Sequence, residues 1–154
     1  MPFEQLCRTS CVEETEACGA MLADRICKDP ASPCFVALYG DLGVGKTAFV
    51  RGFASVISPG SAVRSPTFAL VNEYRGKGRP LFHFDMYRIT SEEDLYSIGF
   101  YDYADRGGIC LVEWSENIPD SLPSEYWRVE IKKEPERSFD ARSIQITLIE
   151  EETA

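Results

Sequence analysis

The stretch Cys34-Phe35-Val36-Ala37-Leu38-Tyr39-Gly40-Asp41-Leu42-Gly43-Val44-Gly45-Lys46-Thr47 joins a continuous apolar run to a glycine-rich turn. An apolar run of strand length with no polar interruption suits a buried strand, because the alternation of a half-exposed strand is absent. The residues that follow, Gly40 to Thr47, match G-x-x-x-x-G-K-[ST] at every fixed position. Lys46 to about Ile57 then reads as a helix, stopped by Ser58, Pro59 and Gly60. Strand, glycine turn and helix in this order make a phosphate cradle. Its glycines permit backbone angles that turn successive N–H groups inward, and they leave no Cβ in the way of a phosphate. The helix adds the positive end of its dipole. Lys46 places a compact charge between β- and γ-phosphates, and Thr47 offers a hydroxyl to Mg²⁺, which favours hard oxygen ligands. The candidate cofactor-binding residues are Gly43, Val44, Gly45, Lys46, Thr47 and Ala48, and the expected cofactors are ATP and Mg²⁺.

Upstream of the cradle, apolar residues recur at helical spacing from Val12 to Cys27, and Pro30 closes that helix. Ser10 and Glu13 have the spacing of a capping box at its start. Residues 1–8 and 150–154 read as short flexible ends. Downstream, Thr67 to Tyr74 and Leu81 to Tyr87 read as strands joined by a turn at Gly76-Lys77-Gly78. Ser91 opens a short helix through about Ile98, with Gly99 as its stop. Ile109 to Trp114 reads as another buried strand, and about Trp127 to Lys133 and Ser143 to Ile149 as two final ones. The expectation is one α/β domain, a P-loop NTPase-like three-layer fold with a mixed, partly parallel central sheet. Some neighbours are antiparallel, since the Gly76 turn is too short for a crossover.

Composition narrows the function classes. The 154 residues suffice for one domain with a sizeable core, and 44% hydrophobic with 27% charged residues is the balance of a soluble globular protein. No apolar run approaches a membrane span, and Met1 to Ser10 shows no secretory signal, so the expected location is cytoplasmic. The formal net charge is −9. A protein that grips nucleic acid by itself presents a basic face, so any dealing with RNA is expected to run through a partner. The six cysteines contain no C-x-x-C pair and the chain has one histidine, which argues against zinc and for small buried thiols.

Phosphoryl chemistry also requires an acid near the metal and a group that orients water. Asp85 and Glu113 each end an apolar strand, and in open α/β sheets ligands sit off the carboxyl ends of strands. Alternation puts His83 and Asp85 on one strand face, with Phe82, Phe84 and Met86 on the other. His83 is expected to buttress Asp85 and to stay outside the chemistry. Trp114 either seals the site or completes the core.

With Gly40 to Thr47, Ser65-Pro66-Thr67-Phe68, His83-Phe84-Asp85-Met86-Tyr87-Arg88 and Leu111-Val112-Glu113-Trp114 in this order, the chain resembles the TsaE (YjeE) family. Those are bacterial P-loop ATPases required for threonylcarbamoyladenosine formation in tRNA. The resemblance runs from about Ser10 to Thr147. It implies that Lys46 and Thr47 bind phosphate and Mg²⁺, that Glu113 is the second metal-side ligand, and that Asp85 supports hydrolysis by orienting water or a metal-bound water. It places Thr67 in a switch-like segment that senses the γ-phosphate, so Lys46, Asp85 and Thr67 are the implied catalytic residues. It further implies TsaD and TsaB as partners, with tRNA reached only through them and hydrolysis resetting their assembly. Ala48 and Ala69 stand where the family often has hydroxyl residues. At Ala48 the side-chain contact to the α-phosphate is lost and the backbone N–H remains.

Two other readings fit less well. A small-molecule kinase needs a lid, and the only candidate, Arg75 to Arg79, has the spacing of a tight hairpin. A guanine-nucleotide switch needs an N-K-x-D segment, which is absent, and Asp105-Arg106-Gly107-Gly108 precedes a strand where the switch motif follows one.

Overall fold

Glu4–Thr9 forms the first strand, β1, although its sequence reads as a flexible end. The computed structural model describes residues 3–40, 43–64, 71–75 and 78–150. After β1 come α1 (Val12–Lys28), β2 (Phe35–Tyr39), α2 (Lys46–Ile57), β3 (Val71–Tyr74) and β4 (Leu81–Asp85). Then follow α3 (Glu92–Ser97), α4 (Phe100–Ala104), β5 (Ile109–Glu113), β6 (Tyr126–Lys133) and β7 (Arg142–Ile149). Two 3₁₀ turns, Ser115–Asn117 and Pro119–Ser121, lie between β5 and β6.

The strands make one sheet in the order β1-β7-β6-β2-β5-β4-β3. β2 runs parallel to β5 and β6, and β4 parallel to β5. The pairs β1–β7, β6–β7 and β3–β4 are antiparallel. The sheet is therefore mixed and partly parallel, as the sequence predicts. β2 sits at its centre, which is why Val36, Ala37 and Leu38 are all apolar and fully buried.

Each face of the sheet carries its own core. On one, Leu22 and Ile26 of α1 and Phe49, Val50 and Phe53 of α2 pack on Val36, Leu38, Leu111, Val129 and Ile144. On the other, Leu95 and Phe100 from α3 and α4 close over Phe35, Ala37, Phe84 and Val112. The three layers thus meet at β2, β4 and β5. Along β6 the buried side chains Trp127, Val129 and Ile131 alternate with the less buried Arg128, Glu130 and Lys132.

Local details depart from the sequence reading in four places. The Ser10–Glu13 capping box does not form; Cys11 is the N-cap of α1 without a side-chain bond, and the Ser10 N–H donates to Glu14 Oε1 at 2.6 Å. The strands expected to reach Tyr87 and Trp114 end at Asp85 and Glu113. Gly99 does stop α3, with φ of 73°, and α4 starts immediately after it. Of the cysteines, Cys18 and Cys110 are buried as expected, whereas Cys27 is exposed; all six are free thiols. The predicted residues Thr67 to Leu70, and Gly76 with Lys77, lie outside the described residues.

Candidate functional site

The cradle loop leaves the C-terminal end of β2 and re-enters as α2, whose first residue is Lys46. Gly45, the N-cap, has φ of 110°, a left-handed conformation that only glycine adopts without strain. At Gly40, with φ of 152°, a Cβ would come within 2.8 Å of both the Ile131 carbonyl oxygen and Val44 Cγ1. Both glycines are thus required by backbone conformation, and Gly40 by space as well. Lys46 is 6% exposed. Its Nζ donates to the Gly40 carbonyl at 2.7 Å and lies 3.8 Å from the centre of the Trp114 ring. Thr47 follows in the first turn of α2, and Ala48 is buried beneath it.

The two acids arrive on neighbouring parallel strands. β4 and β5 pair so that Asp85 stands opposite Glu113, and both are buried. They stand two or four residues beyond Leu81, Ile109 and Leu111, which belong to the core under α2, so their carboxylates share the face that carries the cradle helix. Asp85 Oδ1 accepts the Tyr87 N–H at 2.9 Å. Burial pushes the Asp85 carboxyl above its ordinary pKa; the Tyr87 N–H opposes this, the Glu113 charge adds to it, and Lys46 and His83 pull it back. These influences place Lys46, Glu113 and His83 within electrostatic reach of one carboxylate.

His83 corrects a sequence expectation. Its Nε2 pairs with Glu113 Oε2 at 2.5 Å, not with Asp85. The ring is fully buried, and among the described residues its Nδ1 has no hydrogen-bond partner. Facing a carboxylate, which only accepts, Nε2 carries a proton and donates it to Glu113. That bond fixes one oxygen of Glu113 and leaves the other for a further ligand.

Trp114 settles the choice left open by the sequence, because it serves both ends. The residue has φ of 57°, the only positive φ at a non-glycine residue among the described residues. Its ring packs on Tyr87 at 5.1 Å between centroids and joins the edge of the second core, while the same ring covers the Lys46 ammonium. A bulky residue held in that conformation at a site is a local strain of the kind found where function constrains the backbone.

The structure therefore gathers Gly43, Val44, Gly45, Lys46, Thr47, Ala48, Asp85 and Glu113 around one helix terminus, while Thr67 is outside the described residues. A separate cleft of about 750 Å³ opens behind the loop, lined by Tyr39, Gly40, Val44, Arg128, Glu130 and Lys132. It touches neither Lys46 nor the two acids. Two features had no place in the sequence reading. The His83–Glu113 pair had a signal, a lone histidine two residues before Asp85 on the same strand face. Arg142, whose Nε donates to the Val44 carbonyl at 2.7 Å, had none, since only the fold brings it to the loop.

A central parallel strand feeding a glycine loop and a helix N-terminus, with acids at adjacent strand ends, defines a P-loop NTPase-like α/β domain. The family described as threonylcarbamoyl adenosine biosynthesis protein TsaE matches residues 9–144. The chain belongs to the TsaE family, and so to tRNA threonylcarbamoyladenosine biosynthesis. It is similar to the tRNA threonylcarbamoyladenosine biosynthesis protein TsaE of Bacillus subtilis, 39% identical over 112 residues, covering 73% of this chain and 68% of that one. The protein of the same description from Haemophilus influenzae is 41% identical over 111 residues, covering 72% and 68%. Among solved structures, the crystal structure of YdiB from Bacillus subtilis superposes with a TM-score of 0.70 at 34% identity, covering 97% of this chain and 88% of that one. No described helix is long and apolar enough to cross a membrane.

Proposed function

We propose that this protein is a Mg²⁺-dependent ATPase of the cytoplasm that acts with TsaD and TsaB in forming threonylcarbamoyladenosine in tRNA, its hydrolysis resetting that assembly between turnovers. The observation that carries the reading is the convergence of one buried ammonium and two buried carboxylates at the start of α2. The residues present fit the nucleotide and its metal. The left-handed glycines Gly43 and Gly45 have the backbone conformation that a nest of N–H groups requires, and Lys46 holds a carbonyl oxygen where a phosphate oxygen would replace it. Thr47 and Glu113 would hold the metal through one hydroxyl and one carboxylate, the hard oxygen donors that Mg²⁺ prefers. Bound there, Mg²⁺ would supply positive charge against the negative charge that develops on the phosphate.

Each side chain has a task in this reading. Lys46 exchanges the Gly40 carbonyl for phosphate oxygens, and the Trp114 ring keeps its ammonium aimed at the loop. His83 holds Glu113 in one orientation. Asp85, its pKa raised by burial, is suited to accept a hydrogen bond from the attacking water and orient it. Thr67 senses the γ-phosphate. The net charge of −9 suits a protein that leaves tRNA to TsaD and TsaB.

The test is ATP hydrolysis by the purified chain, alone and with TsaB–TsaD, beside a GTP control. ATP-selective hydrolysis that rises with the pair supports the proposal. Hydrolysis indifferent to the pair removes the partner-dependent role, and no hydrolysis under either condition removes the ATPase.

A further inference from the structure

We infer that Arg142 is a positioning residue of the phosphate cradle, which orients the Val44–Gly45 peptide from outside so that the Gly45 N–H faces the phosphate. This rests on the reading of Gly40 to Thr47 as a phosphate site and adds to it a residue from the far end of the chain.

The geometry is specific. Arg142 opens β7 and pairs with Thr9 of β1 and Lys133 of β6. Its Nε donates to the Val44 carbonyl at 2.7 Å, while Nη1 donates to the carbonyls of Phe139 at 3.0 Å and Ala141 at 2.9 Å. A planar guanidinium that grips its own hairpin with one nitrogen and the loop with another holds a fixed angle between them. The hairpin is itself braced. Arg137 donates through Nε to Glu134 at 2.7 Å and through Nη2 to the Arg142 carbonyl at 3.0 Å.

The consequence follows from peptide planarity. No described peptide is cis, and in a trans peptide the C=O and N–H point in opposite directions. A carbonyl of Val44 drawn outward to Arg142 therefore turns the next N–H, that of Gly45, to the inside of the loop. Gly45 is free to rotate about this peptide because it lacks a Cβ, and its φ of 110° shows the unusual conformation that must be held. Without the guanidinium the loop has a flexible glycine peptide at the point where a cradle needs a rigid donor. A lysine at 142 keeps the charge but offers one point donor in place of the fork.

The experiment compares the wild-type chain with Arg142→Gln and Arg142→Lys, measuring ADP and pyrophosphate binding by calorimetry and the Gly45 amide cross-peak by NMR. Thermal melts establish that each variant is folded. The expected result is that Arg142→Gln weakens ADP and pyrophosphate by the same factor, about tenfold, as loss of a charge-assisted hydrogen bond implies. Arg142→Lys should lie between it and the wild type, and the Gly45 cross-peak should shift in both ligand-free variants. If Arg142→Gln does not fold, Arg142→Lys decides alone by the same readouts. Unchanged pyrophosphate affinity with an unmoved Gly45 signal in a folded variant would overturn the inference. Failure of the wild type itself to bind ADP would instead overturn the phosphate-site reading.

Discussion

Lys46 is an ammonium almost wholly removed from water, and such a group is costly unless polar partners replace its hydration. The Gly40 carbonyl and the face of Trp114 supply part of that replacement. Around it, the acids differ in what fixes them. Glu113 is gripped by a fully buried histidine, whereas Asp85 is held by a backbone N–H and carries a raised pKa. A pinned carboxylate suits a metal ligand, and a carboxylate with raised pKa suits proton and water handling. Asp85→Ala and Glu113→Ala should therefore keep nucleotide binding and lower partner-stimulated hydrolysis about 100-fold or more, read by steady-state assay. Normal stimulated rates in both variants would refute the assignment. The thiols provide an independent check on residue environments. Burial pushes the Cys110 thiol up to about 12, so its thiolate stays scarce until the pH approaches that value. At pH 8, alkylation mapped by mass spectrometry should modify the exposed Cys27 readily and leave Cys110 untouched until the chain is unfolded.

Helices α1 and α2 approach backbone to backbone at two glycines. A Cβ at Gly52 of α2 would overlap the carbonyl oxygen of Glu16, and one at Gly19 of α1 would overlap that of Phe49. Both obstacles are backbone, so no rotamer change relieves them. Alanine gains up to about 1 kcal/mol in helix propensity, but overpacking a tight contact costs about 1–3 kcal/mol or more. Gly52→Ala should accordingly destabilise the protein by about 2 kcal/mol net, measured by urea unfolding; a neutral or stabilising result would mean that the helices sit further apart. The Arg51–Glu16 ion pair at 2.9 Å beside this contact is half-exposed and adds little. This pair of helices was largely legible in advance, since α1 shows helical spacing of Cys18, Leu22 and Ile26 and α2 follows the cradle. β1 was not legible. Its six residues, Glu4–Thr9, mix polar and apolar types at a sheet edge, and their partner β7 lies at the other end of the chain. α4 was missed because one turn of Phe100–Ala104 has no room for a period. The site divides in the same way. The cradle is contiguous in sequence and could be read, whereas the pairing of His83 with Glu113 depends on the register of β4 on β5, and the bond from Arg142 depends on the β6–β7 hairpin.

At the scale of the whole molecule, the candidate site is a seam. The loop hangs between β2 and α2, the acids end β4 and β5, and Arg142 approaches from β7. Parallel pairing of β2 with β5 and of β5 with β4 sends the C-terminal ends of these three strands out on the same edge of the sheet, where the strands supply rigid positions and the loops supply the contacts. A nucleotide lodged there would touch elements from both halves of the chain, so its binding should stabilise the fold as a unit rather than one loop. The native chain would bind it and the unfolded chain would not, because the cradle exists only when the strand and helix are in place. At a free concentration about 100 times its dissociation constant, Mg-ADP should then add roughly 2.7 kcal/mol. For a domain of this size that is a rise in Tm of about 5–10 °C. Lys46→Ala should abolish the rise, since the variant removes the ammonium that the Gly40 carbonyl and the Trp114 ring hold at the loop. A rise that survives Lys46→Ala would place the nucleotide elsewhere on the molecule, and the cleft behind the loop would become the site to probe next.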